Sequence, residues 1–274
     1  MTVVTAPDTS SHAGEVALVP ASSPTVELAT IGLDELRATA DLQSRRDRKY
    51  VVDPAGAAEV LAGLHDDLRV LEMDGRRTFR YETVYFDTPD LALFHQAARR
   101  RPRRAKVRVR TYCDSGEVAL EVKVREPRGL TVKHRRRVEP AEAGQWSPHD
   151  RAWVLSHEVV ADPEPDLAPS LVARYRRTTF LVPGSNSRLT LDQDLVVMDP
   201  RADTPATFAF SGIMIIETKS AGRATEVDRA LWRHGLRPDR ISKYGTGLAA
   251  LHGSLPSNPW HRVLGTRHPY HATT

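Results

Sequence analysis

Cysteine is almost missing from this 274-residue chain: Cys113 stands alone. No disulfide can form within it, and no cysteine-based zinc site can be built. A reducing, cytoplasmic setting is the natural expectation. Long apolar runs are missing too. The longest, Phe208–Ile216, covers about nine residues and is interrupted by Ser211 and Gly212, whereas a membrane-spanning helix needs roughly 20. No basic-led apolar segment opens the sequence, so no secretory signal is expected. Aromatic residues make up 6% of the chain. The most basic stretch offers only Tyr112 for stacking on bases, which disfavours a nucleic-acid partner. There is no glycine-rich phosphate loop, and Gly245-x-Gly247 is too short to serve as one. The eleven histidines are scattered, and His134 and His157 read as solvated rather than catalytic.

Acidic residues are scarce in one place above all. Between Arg99 and Arg137 there are 15 Lys/Arg against 4 Asp/Glu, a net charge of +11, while the whole chain carries +4. The remainder is therefore acidic, at −7. Strong positive charge confined to one segment of an otherwise acidic protein points to a polyanionic partner.

Residues 1–42, rich in Thr, Ser, Ala and Pro, are expected to form a tail in which only Leu33–Leu42 could make a short helix. Residues 43–255 are expected to be the folded domain, and 256–274 an irregular C-terminal tail from which Trp260 packs back. Within the domain the pattern is mainly β. Strands are expected at Ser44–Val52, Phe79–Phe86, Ala105–Tyr112, Val118–Arg125, Leu130–Val138, Leu171–Val182, Arg188–Val197 and Phe208–Thr218. Helices are expected at Ala55–Leu71, Leu91–Gln96 and Thr225–His234, with a last one capped by Ser242.

Three consecutive strands carry the functional signal. In Lys106-Val107-Arg108-Val109-Arg110 the cations fall on one face and the valines on the other. Leu120–Arg125 repeats the pattern, and Thr131, Lys133 and Arg135 share a face of the third strand. Alternate residues on a strand lie roughly 6.6–7 Å apart, so each adjacent like pair costs about 2.4 kcal/mol at an effective dielectric of 20. Nothing local offsets that cost, and most of the cations are arginines, whose planar fork suits phosphate oxygens. A phosphate-rich ligand would turn the repulsion into binding. If the cationic face points inward, the expected object is an α+β, mainly β protein: an antiparallel β-barrel tunnel with a wet, cationic lumen, flanked by helices. Tyr175, Arg177 and Thr179 share one side of a later strand, as do Arg188, Thr190 and Asp192, and Ile215, Glu217 and Lys219. Spacing alone leaves Glu217 open between structural counter-ion and metal ligand.

Asp47-Arg48-Lys49-Tyr50, the Tyr85–Asp90 stretch, Lys106–Arg110, Glu121-Val122-Lys123 and Ser242-Lys243-Tyr244 occur in that order. Together they resemble the VTC-type polyphosphate polymerase domain of the CYTH-like triphosphate tunnel metalloenzymes, over roughly residues 43–255. The resemblance implies transfer of the γ-phosphate of ATP onto a growing inorganic polyphosphate chain, assisted by a divalent metal, Mn²⁺ or Mg²⁺. Carried over position by position, it assigns phosphate contacts to Lys49, Arg108, Arg110, Lys123 and Lys133. It adds Tyr175 and Arg177, then Arg188, and the basic cluster Arg240, Ser242 and Lys243. Glu217 would be the metal-binding carboxylate. Arg99–Arg104 would lie near the tunnel mouth. The implied partners are nucleoside triphosphate and inorganic polyphosphate, with any membrane coupling supplied by a separate partner.

One departure bears on the reaction. Metal-dependent tunnel hydrolases begin with Glu-x-Glu-x-Lys, and here that spacing reads Arg45-x-Asp47-x-Lys49. Fewer carboxylates favour the polymerase branch. A triphosphate hydrolase on the same scaffold and a non-catalytic polyphosphate-binding module are the alternatives.

Overall fold

Val107 and Val109 are each 1% exposed on the covered side of their strand, and the cations between them face the opposite way. That alternation recurs around a single curled sheet. The structure, a computed structural model, describes residues 28–40, 46–125, 131–139, 146–157, 160, 166–201 and 204–265. Its long strands are β2 (Arg46–Val52), β4 (Thr78–Asp87), β5 (Arg104–Tyr112), β6 (Glu117–Arg125), β7 (Thr131–Val138), β8 (Ala168–Val182), β9 (Ser187–Met198) and β11 (Met214–Ser220). They pair antiparallel in the order β2-β11-β9-β8-β4-β5-β6-β7. Short strands β1 (Ala29–Ile31), β3 (Arg69–Leu71) and β10 (Thr207–Ala209) extend the sheet. Among the described residues the edge strands β2 and β7 do not pair with each other. The curl nevertheless brings Asp47 on β2 to 3.5 Å from Lys123 on β6. The result is a half-barrel with a concave, charged inner face.

Helices cover the apolar outer face. α2 (Pro54–Ala62) and α5 (Glu226–Arg233) pack on Tyr50, Phe180, Leu189 and Ile216. α4 (Pro148–Leu155) places Val154 on Val107, Leu120 and Val122. α5 opens with a capping box, in which Thr225 accepts from the Asp228 amide and Asp228 from the Thr225 amide, the arrangement that satisfies two orphan donors at once.

The concave face is not cationic along its whole length. Val51 and Ile215 lie two residues along from Lys49 and Glu217, and with Leu171, Ala173 and Val197 they form an apolar floor. α6 (Lys243–Leu251) and α3 (Ala92–Ala98) seal this floor with Leu248 and Phe94, together with Trp260. Gly245 and Gly247 permit the approach: a Cβ would stand 2.2 Å from the Trp260 ring at Gly245, and 3.0 Å from Leu171 at Gly247. The glycine pair is therefore a packing device.

Four expectations are corrected. Ala55–Leu71 is not one helix. Asp53 caps and Pro54 starts α2, which ends at Gly63; after a short 3₁₀ turn, Arg69 and Val70 pair with Leu181 and Phe180 as part of β3. The open edge of β8 recruits a segment whose apolar spacing also fits a helix. Phe208–Thr218 is broken at Gly212, whose φ of +70° turns the chain between β10 and β11. The folded body also starts before residue 43. β1 pairs parallel with β3, and α1 (Leu33–Ala40) buries Leu36 and Ala40 against Leu71, Phe79 and Leu181. Beyond residue 255, Asn258–Trp260 forms a 3₁₀ turn and His261–Gly265 a short helix, α7, with Trp260 and Val263 buried. Residues 1–27, Arg45, Leu130 and 266–274 lie outside the described residues. No helix among the described residues is long and apolar enough to cross a membrane.

Candidate active site

Strand register sets out the site in rows. Lys49 stands opposite Glu217, which stands opposite Thr190. Asp47, Lys219 and Arg188 form the adjacent row. On the other wall Lys106, Lys123 and Lys133 lie directly across from one another on β5, β6 and β7, and Tyr85, Arg108, Glu121 and Arg135 form the next row. Three lysines in register would destabilise an ordinary sheet. Curling turns them into one wall of a lumen.

That lumen has a volume of about 130 Å³. Lys49, Arg108, Arg110, Lys123, Lys133, Arg177, Ser242, Lys243 and Glu217 line it, joined by Asp47, Tyr85, Lys106 and Lys219. It continues into a wider mouth of about 700 Å³ through walls shared at Asp47, Lys49, Lys106 and Ser242. Arg240 is exposed in that mouth, with Arg100, Pro102 and Arg104 from the Arg99–Arg104 run also lining it. Tyr175 and Arg188 are not on the lumen wall. Tyr175, 3% exposed, stacks on Tyr81 at 5.3 Å, and Arg177 and Lys243 rest on its ring at 5.4 and 4.2 Å. It supports two lumen cations from behind. Arg188 sits beside Lys219 in the register, toward the rim.

Two carboxylates not singled out from the sequence as site residues organise these cations. Glu121, fully buried, accepts from Arg108 Nε at 2.7 Å and Lys133 Nζ at 3.4 Å, with Arg110 at 3.8 Å. Asp192 accepts a two-pronged pair from Arg177 at 2.6 and 2.8 Å and a further bond from Lys243. Burial disfavours the charge on both, but their cation partners outweigh it and hold both carboxyls well below the usual range. Lys106 and Lys219 share the alternate face that identified their neighbours, so that signal was available in the sequence. The pairings of Glu121 and Asp192 required the register.

Charge balance in the lumen is strongly positive. Burial first, then Lys49 and Lys123, pushes the Lys106 ammonium well below the ordinary lysine value. Lys123 and Lys133 are lowered as well, with desolvation the leading cause. Lys106 donates to Ser242 Oγ at 2.7 Å, and Ser242 in turn caps α6 by accepting from the Gly245 amide. The N-terminus of that helix therefore faces the lumen, which favours an anion there.

Glu217 is the carboxylate best placed for a divalent ion. It is 9% exposed, with Lys219 Nζ at 3.4 Å. Burial opposes its ionisation, but Lys219, Lys49, Arg177 and Lys123 prevail and keep it charged. No group of three His, Cys, Asp or Glu side chains converges among the described residues. A metal ion would thus receive one carboxylate from the protein and complete its shell with phosphate oxygens and water, a common way for magnesium to bind. The donor set fits a metal that arrives with a phosphate chain.

His134 and His157 pack ring against ring, tilted at 33° with centroids 4.3 Å apart, and neither lines the lumen. Asp87, from the Tyr85–Asp90 motif, is 1% exposed and accepts from the Leu93 and Phe94 amides at 2.8 Å and from Tyr244. It ties α3 and α6 to β4 and takes no direct part in the lumen.

Among solved structures, the PH1819 protein from Pyrococcus horikoshii is 12% identical, with a TM-score of 0.43 over 74% of this chain and 98% of its own. HpAC1 from Hippeastrum, an adenylyl-cyclase-like protein described as having a dominant triphosphatase activity, is 16% identical with a TM-score of 0.45 over 74% and 94%. An adenylate-cyclase-like protein from Vibrio parahaemolyticus is 14% identical, with a TM-score of 0.42 over 75% and 98%. No curated protein matches the chain. The VTC domain family model matches residues 44–252, from just before β2 to the end of α6. The chain belongs to the VTC domain family.

Proposed function

We propose that this protein is a metal-dependent polyphosphate polymerase that transfers the γ-phosphate of ATP to a growing inorganic polyphosphate chain. The observation that carries the proposal is the lumen itself. Lys49, Lys106, Arg108, Arg110, Lys123, Lys133, Arg177, Lys219 and Lys243 line it, against Asp47 and Glu217. Phosphoryl transfer needs positioning and charge stabilisation more than covalent help from the protein, and that is what such a lumen offers.

In this reading Lys49, Arg108, Arg110, Lys123 and Lys133 hold the triphosphate extended. Arg177 and Lys243, fixed by Asp192 and backed by Tyr175, address the transferring group, with Ser242 and the start of α6 beside them. Arg188 and Arg240 act at the rim and the mouth. A terminal oxygen of the acceptor chain forms the new bond to the γ-phosphorus as the bond to the ADP oxygen breaks. The chain gains one phosphate and ADP leaves with the electron pair. Glu217 would hold the divalent ion, Mn²⁺ or Mg²⁺, which when bound neutralises charge on the phosphate oxygens.

The limited set of carboxylates supports transfer to phosphate over transfer to water. Glu121 and Asp192 are committed to cations, so neither is free to act as a base toward water. The proposal includes a cytoplasmic location, where nucleoside triphosphate is available, and leaves any membrane coupling to a separate partner.

The test is to incubate the purified protein with ATP and Mn²⁺, with and without a short polyphosphate primer, and to resolve the phosphorus products. ADP appearing together with lengthening polyphosphate is the expected result. Orthophosphate without chain growth would replace this reading with a hydrolase. Tight, salt-sensitive polyphosphate binding with no turnover would leave a binding module.

A further inference from the structure

Arginines elsewhere on this molecule are mostly tied to carboxylates: Arg69 to Glu35, Arg76 and Arg80 to Asp114, Arg174 to Glu82, and Arg176 to Asp194. The mouth of the lumen differs. Arg46, Arg100, Arg125 and Arg240 all line it, and among the described residues none of the four has a hydrogen bond or ion pair from its side chain. Arg104 stands directly across from Arg125 in the β5–β6 register. Like charges placed opposite one another weaken a sheet unless something neutralises them. Burial, then Arg125 and Arg100, makes the Arg104 guanidinium easier to deprotonate than usual. Arg100 is also held at a φ of +55°, just past the end of α3, where glycine would fit with less strain.

Capacity gives the second line of argument. The lumen, at about 130 Å³, is much the smaller of the two spaces. The mouth, about 700 Å³, is continuous with it, and a chain that starts in one can lie in the other. The ring available there, Trp260, is 5% exposed and packed on Gly245. It offers little face for a base, which disfavours a nucleic acid as occupant.

We infer that the mouth is a second anion subsite, distinct from the lumen, that holds the polymeric part of a polyphosphate chain and gives the protein its preference for long chains over a lone triphosphate. The inference rests on the proposed reading of the lumen as a phosphate site.

A double variant, Arg100→Gln with Arg125→Gln, tests it. Both side chains are exposed, and a thermal melt verifies the fold. Binding of inorganic tripolyphosphate and of a long linear polyphosphate is measured without metal over a range of salt. Tripolyphosphate affinity is expected to stay within about twofold of wild type, long-chain affinity to fall about tenfold or more, and the long-chain salt slope to become shallower by roughly 1.5. The single variant Arg125→Glu should reproduce the selective loss. Equal loss for both anions, or loss for neither, overturns the inference. A single-stranded oligonucleotide that binds the wild type as tightly as long polyphosphate, and loses as much in the variant, reassigns the mouth to nucleic acid. Failure of the wild type to bind either phosphate overturns the lumen reading itself, a separate result from equal loss. Long-chain binding without turnover overturns the polymerase and leaves the subsite standing.

Discussion

At position 217 a carboxylate faces at least four cations, and those cations keep it ionised despite burial. Glu217→Gln removes one negative charge and changes little in shape. We expect it to abolish metal-dependent turnover while metal-free tripolyphosphate affinity holds or rises, as titration calorimetry would show. Survival of turnover would contradict the metal assignment. Glu121 has the opposite character. It is fully buried and its three partners belong to β5 and β7. Breaking a buried pair costs about 3–5 kcal/mol, but Lys133 is 35% exposed, so Glu121→Gln should cost about 2 kcal/mol. Urea unfolding checks this, and saturating polyphosphate should restore part of the loss. The lysine row supplies a pH signature. Lys106, Lys123 and Lys133 have folded-state values below the ordinary one, so through that alkaline window the unfolded chain holds more protons. Stability of the free protein therefore rises with pH there. Polyphosphate favours the protonated amines, so its affinity falls over the same window, starting below the ordinary lysine range. A fall beginning only at that range would show the row is not part of the site.

At the scale of elements, period-two alternation made β5 and β6 legible because each has one face against the core and one against the lumen, and β7 repeats the pattern with a half-buried outer face. The cationic members could be assigned from that alone. Other elements were hidden for definite reasons. Leu68 and Leu71 satisfy a helical spacing begun at Val60, and it is pairing with β8 on one side and β1 on the other that makes Arg69–Leu71 a strand. The short helix α1 was legible at Leu33–Leu42, but β1 and the packing of both on the body were not, because Ile31 and Leu36 complete an apolar cluster with Leu71, Phe79 and Leu181, far away in the chain. Asp87 stood out in a motif, but its capping of α3 and its bond to Tyr244 needed the fold. α6 closes the apolar end of the concave face because of its glycines. Gly245→Ala forces a Cβ to within 2.2 Å of the Trp260 ring. Such overpacking costs about 1–3 kcal/mol, and the melting temperature should drop accordingly. Trp260→Leu in the same chain should recover part of that loss, whereas no recovery would mean the ring is not the obstacle.

The whole molecule concentrates its charge. The Arg99–Arg137 stretch, with a net charge of +11, contains β5, β6 and β7, which supply one wall of the lumen and part of its mouth. Such a field raises the encounter rate with polyanions and makes binding strongly salt-dependent. The lumen was legible in the sequence as a cationic face plus a family likeness. Its small volume, its continuity with the mouth and the locking of Glu121 and Asp192 were not, since each depends on strands distant in sequence meeting in register. In the proposed reaction this lumen passes the γ-phosphate of ATP to a phosphate chain. ATP labelled at the γ-position, given with Mn²⁺ and a primer of defined length, follows that phosphate. Label is expected at the terminal phosphate of a primer one or more units longer, with ADP in equal amount, and Arg177→Gln is expected to abolish this transfer. Label recovered only as orthophosphate, with the primer unchanged, would contradict it.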